Sequence, residues 1–90
     1  MEKEQIVPEI DHDEQKSDLQ QLILYNDDVN SFDYVIISLV EVCGIEPLTA
    51  EQCTLIAHLK GKCSVKEGTF SHLLPFQKEL SRRELTVEIE

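Results

Sequence analysis

Residues 22–32 read LILYNDDVNSF, and this stretch predicts a strand that runs into a helix through a short polar loop. The apolar run LILY is long enough for a short buried strand. The residues from Asn26 to Ser31 are types that form turns and cap helices. Phe32 then begins an apolar pattern with helical spacing. Because such a junction holds polar groups at the exposed edge of a rigid scaffold, the loop is a good place for recognition.

The elements on either side follow from the same signals. The first strand is predicted over Leu19–Tyr25. The helix after the loop has Ser31 as its N-cap and Gly44 at the position of a C-terminal glycine. One amphipathic stripe of this helix contains the apolar residues Phe32, Val35, Ile36, Leu39, Val40 and Cys43.

A second helix is predicted over Ala50–Lys60. Thr49 and Gln52 have the spacing of a capping box, and Gly61 ends the helix. The face predicted to point inward contains Cys53, Ile56, Ala57 and the stem of Lys60.

The rest of the chain adds two strands and a third helix. Lys62–Lys66 alternates polar and apolar residues, as a half-exposed strand does. From Phe70 onward the apolar residues recur at helical spacing, and Pro75 is expected to bend that helix or to start a new segment. Glu84–Glu90 alternates strictly, which predicts the last strand. The order β-α-α-β-α-β indicates an α+β fold, a small sandwich of two layers.

Length and charge limit the possible functions. The 90 residues suit one domain, which we predict over residues 19–90, preceded by a flexible acidic tail at 1–18. The net charge of −10 argues against nucleic acid and favours cationic partners, such as a free α-amino group or a basic protein surface. With no membrane-spanning apolar run and no signal-peptide pattern, we expect no membrane partner and a cytoplasmic location.

The cysteines and histidines do not form a catalytic or metal-binding pattern. Three cysteines (43, 53 and 63) cannot complete a disulfide framework, so we expect buried free thiols. Cys53 and His58 lie roughly 140° apart around a helix with about 100° per residue, so they cannot act as a nucleophile and base. The trio Asp11-His12-Asp13 could touch a metal, but it is one short cluster without further ligands. The set Cys53, His58 and Cys63 lacks a CxxC or HxxxH spacing and has no obvious fourth ligand. We therefore predict no enzyme, no metal and no cofactor.

Recognition of an amine is the remaining possibility. An ammonium group needs carboxylates, amide oxygens or a neutral imidazole nitrogen around it. Asn26, Asp27 and Asp28 supply the first two, and His58 supplies the third. The residues alone leave an alternative open, in which the loop is an ordinary turn and His58 interacts with the helix dipole.

Two motifs resemble the ClpS adaptors of bacterial ATP-dependent Clp proteases. Asn26-Asp27-Asp28 follows an apolar strand and precedes the helix that starts at Phe32, and Ala57-His58-x-x-Gly61-Lys62 enters a strand about thirty residues later. The resemblance is best over 22–65, and the element order matches over 19–89. It implies a three-stranded antiparallel sheet packed against helices.

The resemblance also implies a function and a set of site residues. ClpS proteins bind N-degrons, which are substrates with a free α-amino group and a bulky apolar first residue, and deliver them to the AAA+ unfoldase ClpA or ClpC. It assigns the amine to Asn26, Asp27 and His58. The residues that it places around the side-chain pocket are Asn30, Phe32, Val35, Ala57 and Leu85.

Some positions depart from the pattern of the family. Phe32 replaces a methionine that commonly gates the pocket, and Ala57 stands where a bulkier apolar residue is common. The segment from Val65 to Leu85 is shorter than in many members and contains Pro75, which leaves the unfoldase-docking residues unassigned. The acidic tail resembles the extension that the family uses in delivery. Phe32 also supports an alternative, a regulator that docks on a Clp unfoldase with altered or lost degron selection.

Overall fold

The computed structural model describes residues 18–90 as three strands and three helices in the order β-α-α-β-α-β. The predicted α+β fold, with a three-stranded antiparallel sheet, is confirmed. The elements are β1 (Gln20–Tyr25), α1 (Phe32–Cys43), α2 (Pro47–Lys60), β2 (Lys62–Gly68), α3 (Phe70–Arg82) and β3 (Val87–Ile89).

β1 is the central strand, with β2 and β3 antiparallel on either side. Tyr25, the last residue of β1, pairs with Lys62, the first residue of β2. The end of β1 therefore lies beside the junction between α2 and β2. The N–H of Asn26 donates to the carbonyl oxygen of Gly61 at 3.0 Å. This register brings the polar loop beside the C-terminal end of α2.

The helices pack on one face of the sheet. Leu22 and Leu24 of β1 are 0% and 2% exposed and belong to the same buried cluster as residues from all three helices. Leu39 of α1 and Leu73 of α3 are both fully buried in it. Burial of these side chains, at about 25 cal/mol per Å² of apolar surface, is the main force that holds the layers together.

The predicted ends of α1 are confirmed. The hydroxyl of Ser31 accepts the N–H of Tyr34 at 3.1 Å, as an N-cap does. Gly44 adopts a left-handed φ of 70° and donates its N–H to the carbonyl of Val40.

The predicted start of α2 is wrong. The helix begins at Pro47 with Glu46 as its N-cap, so Thr49 and Gln52 are already helical and form no capping box. Proline suits the first helical position because its φ is preset and an N–H there has no partner within the helix. The predicted inner face is also partly wrong, since Ile56 is 42% exposed. The buried residues of α2 are Ala50, Cys53, Thr54 and Ala57.

The other strands and α3 also differ from their predicted bounds. β1 starts one residue after the predicted start, at Gln20, and β2 continues to Gly68. α3 is one helix that continues through Pro75, without a new segment there. The last strand is only Val87–Ile89, because the chain first turns through Glu84 at a left-handed φ of 72°.

Two predictions lie outside the described residues. These are the acidic tail at 1–18, of which only Asp18 is described, and the trio Asp11-His12-Asp13. Within residues 18–90, no helix has the length and apolarity needed to cross a membrane.

Candidate functional site

Asp27 shapes the loop between β1 and α1. Its Oδ1 accepts the backbone N–H groups of Val29 and Asn30, both at 3.1 Å. The hydroxyl of Thr86 makes a longer contact of 3.4 Å with Oδ2. The two bonds from Val29 and Asn30 to Oδ1 are those of an Asx turn, in which the side chain replaces a backbone acceptor. One carboxylate oxygen is therefore engaged by the loop, and the other keeps most of its accepting capacity.

Asn30 ties the loop to the segment after α3. Its side-chain Nδ2 donates to the carbonyl oxygen of Glu84 at 2.8 Å. The same nitrogen lies 3.4 Å from both carboxylate oxygens of Asp27. Because the nitrogen makes all these contacts, the amide oxygen of Asn30 remains as an acceptor.

A cleft of about 200 Å³ opens beside this loop. Its floor is apolar and belongs to the core, since Leu24, Val35 and Ala57 are only 2%, 8% and 2% exposed. Its rim is polar and comes from the loop and from α2. The lining residues are Leu24, Tyr25, Asn26, Asp27, Asp28, Asn30, Phe32, Val35, Thr54, Ala57 and His58.

Two aromatic rings close one side of the cleft. Phe32, at the start of α1, meets His58, near the end of α2, edge to face with ring centroids 5.3 Å apart and an interplanar angle of 76°. This arrangement is a favourable one for aromatic pairs. Phe32 remains 40% exposed, so its ring lies at the mouth of the cleft rather than in the core.

The lining carries negative charge. It includes the carboxylates of Asp27 and Asp28, and none of the described residues that line the cleft is Lys or Arg. The nearby Tyr25 hydroxyl donates to the carboxylate of Glu90, and this bond raises the pKa of Tyr25. The ammonium of Lys62 lies 3.8 Å from that carboxylate and 5.9 Å from the Tyr25 ring centroid. The cleft thus suits a ligand that is cationic at one end and apolar at the other.

The structure brings together all but one of the side chains that the sequence predicted for the site. The residues that line the cleft are Asn26, Asp27, Asn30, Phe32, Val35, Ala57 and His58. Leu85 does not line it and is 4% exposed within the core cluster. The turn at Glu84 explains this, because it directs the N–H of Leu85 to the carbonyl of Leu80 and folds the side chain inward.

Four lining residues were not predicted as site residues, namely Leu24, Tyr25, Asp28 and Thr54. The sequence indicates Asp28 only as one of the acceptors in the loop. Thr54 could have been found from its spacing, because it lies one turn before His58 on the same side of α2. Its hydroxyl donates to the carbonyl of Ala50 at 2.8 Å.

The thiols lie apart from this cleft. Cys53 is buried, its Sγ lies 3.8 Å from the carbonyl oxygen of Ser64, and burial raises the pKa of this thiol. Burial also raises the pKa of the Cys43 thiol. Neither thiol has the lowered pKa of a nucleophile. Among residues 18–90, no group of three or more His, Cys, Asp or Glu side chains could hold a metal ion.

Comparison with known proteins shows one matching family and matching solved structures. The sequence model of one family, described as ATP-dependent Clp protease adaptor protein ClpS, matches residues 15–87. Among solved structures, ClpS2 of Agrobacterium tumefaciens, bound to L-phenylalaninamide, matches with a TM-score of 0.75 and 23% sequence identity. The match covers 81% of this chain and 95% of that one. No curated protein matches the chain.

Proposed function

The chain belongs to the ClpS family of ATP-dependent Clp protease adaptors, and we propose that it selects N-degron substrates through the cleft beside Asp27. It is an adaptor, a protein that serves a protease without being one. The substrates proposed are proteins with a free α-amino group and a bulky apolar first residue. We propose that it passes them to the N-terminal domain of ClpA or ClpC in the cytoplasm.

One observation carries this proposal: a single cleft of about 200 Å³ joins an acidic rim to an apolar floor. An N-terminal residue is cationic at its α-ammonium and apolar at its side chain. At about 200 Å³ the cleft is smaller than the roughly 300–1,000 Å³ of sites for whole small molecules. It therefore suits one side chain and the amine beside it.

The polar residues would surround the ammonium. The Oδ2 atom of Asp27 is an acceptor that the loop leaves available. The amide oxygen of Asn30, a residue that the resemblance places at the side-chain pocket, is a second free acceptor and would lie where the pocket meets the ammonium. Asn26 and His58 lie on the same rim and complete the set of acceptors. Bonds from an ammonium to such groups are charge-assisted and stronger than neutral ones.

The apolar residues would hold the side chain. Val35 and Ala57 form the floor, and the exposed ring of Phe32 forms the gate. A flat aromatic ring could stack against Phe32, which favours Phe or Tyr as the first residue. The ligand of the Agrobacterium ClpS2 structure, L-phenylalaninamide, has a free amine and an aromatic side chain. That ligand supports the proposed class of substrate.

The placement of Phe32 also supports a second candidate function. Its ring meets His58 edge to face beside the cleft, where a phenyl ring would narrow the entrance. A chain with a narrowed entrance could dock on a Clp unfoldase and regulate it without degron selection. Binding of the unfoldase that does not respond to a degron peptide would favour this second function.

Calorimetry with matched peptides tests the first proposal. A peptide that begins with Phe or Leu should bind with a free amine and fail to bind after N-acetylation. Equal affinity for the two forms would exclude the amine site. A peptide that begins with Gly serves as a control for the side-chain pocket.

A pair of histidine variants tests the placement of the site. His58→Ala should weaken binding of the free peptide by about 1–3 kcal/mol, the scale of a lost charge-assisted hydrogen bond. His72→Ala is the matched control, since His72 is an exposed histidine on α3, away from the cleft. Equal losses in the two variants would show that the peptide does not bind beside His58.

Residues 1–18 are proposed to act in delivery rather than in recognition. Deletion of residues 1–17 should leave the affinity for the peptide unchanged and slow degradation of a degron substrate by the unfoldase and protease. Loss of peptide affinity in that variant would contradict the division of roles.

A further inference from the structure

The floor of the cleft contains a buried hydroxyl, that of Thr54 on α2. Among residues 18–90, the buried polar side chains are those of Ser38 and Thr54, and of these two only Thr54 lines the cleft, where it is 6% exposed. The floor residues beside it, Leu24, Val35 and Ala57, are apolar. In surroundings so poor in water, a hydrogen bond to this hydroxyl is stronger than the same bond in solvent.

The proton of the Thr54 hydroxyl is already donated within α2. Oγ1 donates to the carbonyl oxygen of Ala50, one turn earlier, at 2.8 Å. This bond selects one of the two rotamers that a helical threonine can adopt. A hydroxyl has one donor and two acceptor lone pairs, so Thr54 offers a ligand an acceptor but no proton. The floor can therefore pair with a hydrogen-bond donor and not with a further acceptor.

Thr54 lies one turn of helix away from the rim that would hold the ammonium. His58 belongs to that rim and follows Thr54 by four residues, so the two lie on the same side of α2, about 6 Å apart along its axis. Ala57, which also lines the cleft, contributes only a methyl group to this turn. A first residue with its ammonium beside His58 would therefore extend the end of its side chain toward Thr54.

We propose that Thr54 selects first residues whose side chain ends in a hydrogen-bond donor, so that the cleft prefers tyrosine to phenylalanine. This preference rests on the proposed function, in which the cleft holds the first residue of a degron. The phenol hydroxyl of that tyrosine donates to Oγ1 of Thr54, and its ring packs on Val35 and Ala57. Phenylalanine and leucine fill the same floor but bring no donor to Thr54.

The selectivity expected from one such bond is moderate. In an entirely apolar floor, tyrosine would lose the hydrogen bonds of its hydroxyl to water and would bind more weakly than phenylalanine. The bond to Thr54 offsets that loss and adds about threefold to tenfold in affinity, the scale of a neutral hydrogen bond. Phenylalanine is not excluded, because the proton of Thr54 stays bonded to Ala50 whichever ring is bound.

Calorimetry with two peptides that differ only in their first residue, Tyr or Phe, tests this role of Thr54. The unchanged chain should bind the Tyr peptide about threefold to tenfold more tightly than the Phe peptide. Thr54→Val replaces the hydroxyl by a methyl group, and it should weaken binding of the Tyr peptide by about tenfold. The same variant should bind the Phe peptide as tightly as before or more tightly, which also shows that it is folded.

Two variants and a third peptide separate the hydrogen bond from other effects. Thr54→Ser keeps the hydroxyl and should retain the preference for Tyr. Thr49→Val is the matched control, since Thr49 is an exposed threonine of α2 that does not line the cleft, and it should change neither affinity. A peptide that begins with 4-fluorophenylalanine has a polar tip that cannot donate a proton, and it should bind like the Phe peptide.

The outcomes distinguish this preference from the proposed function itself. If the unchanged chain binds both peptides but does not prefer Tyr, or if the preference survives Thr54→Val, the role of Thr54 is overturned and the amine site stands. A 4-fluorophenylalanine peptide that binds as tightly as the Tyr peptide would likewise overturn it, since size and not a donor would then be selected. If neither peptide binds to the unchanged chain, the proposed function fails and the preference fails with it.

Discussion

The two walls of the cleft, the polar loop and the apolar floor, are held in place by different forces. The loop wall depends on hydrogen bonds, from the carboxylate of Asp27 within the loop and from the amide of Asn30 to Glu84. The floor depends on burial, because Leu24 and Ala57 are nearly inaccessible and belong to the core. The polar half of the site can therefore change without loss of the fold, whereas the apolar half cannot.

The largest expected effect is on the floor. Leu24→Ala should lower the free energy of unfolding by about 2–5 kcal/mol, because it removes buried methyl groups and leaves a cavity in the core. Urea denaturation measures the change. Leu19→Ala is the matched control, since Leu19 lies just before β1 and is 44% exposed. A loss no greater than that of the control would show that the floor is not part of the core.

The next largest effect is expected on peptide affinity, when the loop is changed. Asp27→Ala should weaken binding of a degron peptide by about 1–3 kcal/mol, because the variant loses the charge and the turn together. Asp28→Ala removes a charge from the same rim, and within residues 18–90 no hydrogen bond that shapes the loop involves its carboxylate. Its loss of affinity, measured by calorimetry, should be smaller. Equal losses would mean that Asp27 acts through its charge alone.

The sequence predicted the loop wall better than the later parts of the chain. The start of α1 rests on a local bond from Tyr34 to Ser31, and residue types reveal such bonds directly. The start of α2 was missed because Pro47 and the Thr49–Gln52 pair were both valid signals, and the proline prevailed. Local rules cannot rank such signals.

The apolar residues show the same limit. Periodicity predicts Ile56 on the inner face of α2, and the family resemblance predicts Leu85 at the pocket. Neither signal says which neighbours an apolar residue meets in this chain. The structure exposes Ile56 on the outer side of α2 and buries Leu85 in the core. The first belongs to a helix with apolar residues on both sides, and the second follows a left-handed turn at Glu84 that the sequence did not indicate. Both outcomes depend on contacts between distant segments.

A smaller effect on stability is expected from Ser38, within α1. Ser38 is fully buried, and its Oγ has no hydrogen-bond partner among the described residues. Ser38→Ala should raise the free energy of unfolding by about 1 kcal/mol, because the buried hydroxyl is lost. Ser81→Ala, at an exposed position of α3, measures the gain in helix propensity alone. If the two variants gain equally, burial of the hydroxyl costs nothing.

The smallest effect on stability is expected at Tyr25, the last residue of β1, which lines the cleft. The hydrogen bond to Glu90, followed by burial and by the charges of Glu90 and Glu88, raises the pKa of Tyr25 above its ordinary value of 10.0. The folded chain therefore keeps the phenolic proton when the unfolded chain has lost it. This contribution to stability is complete below pH 10.0 and is lost as the pH rises through the folded pKa. Urea denaturation at a series of alkaline pH values should show a steeper loss for the unchanged chain than for Tyr25→Phe, and parallel curves would exclude the contribution.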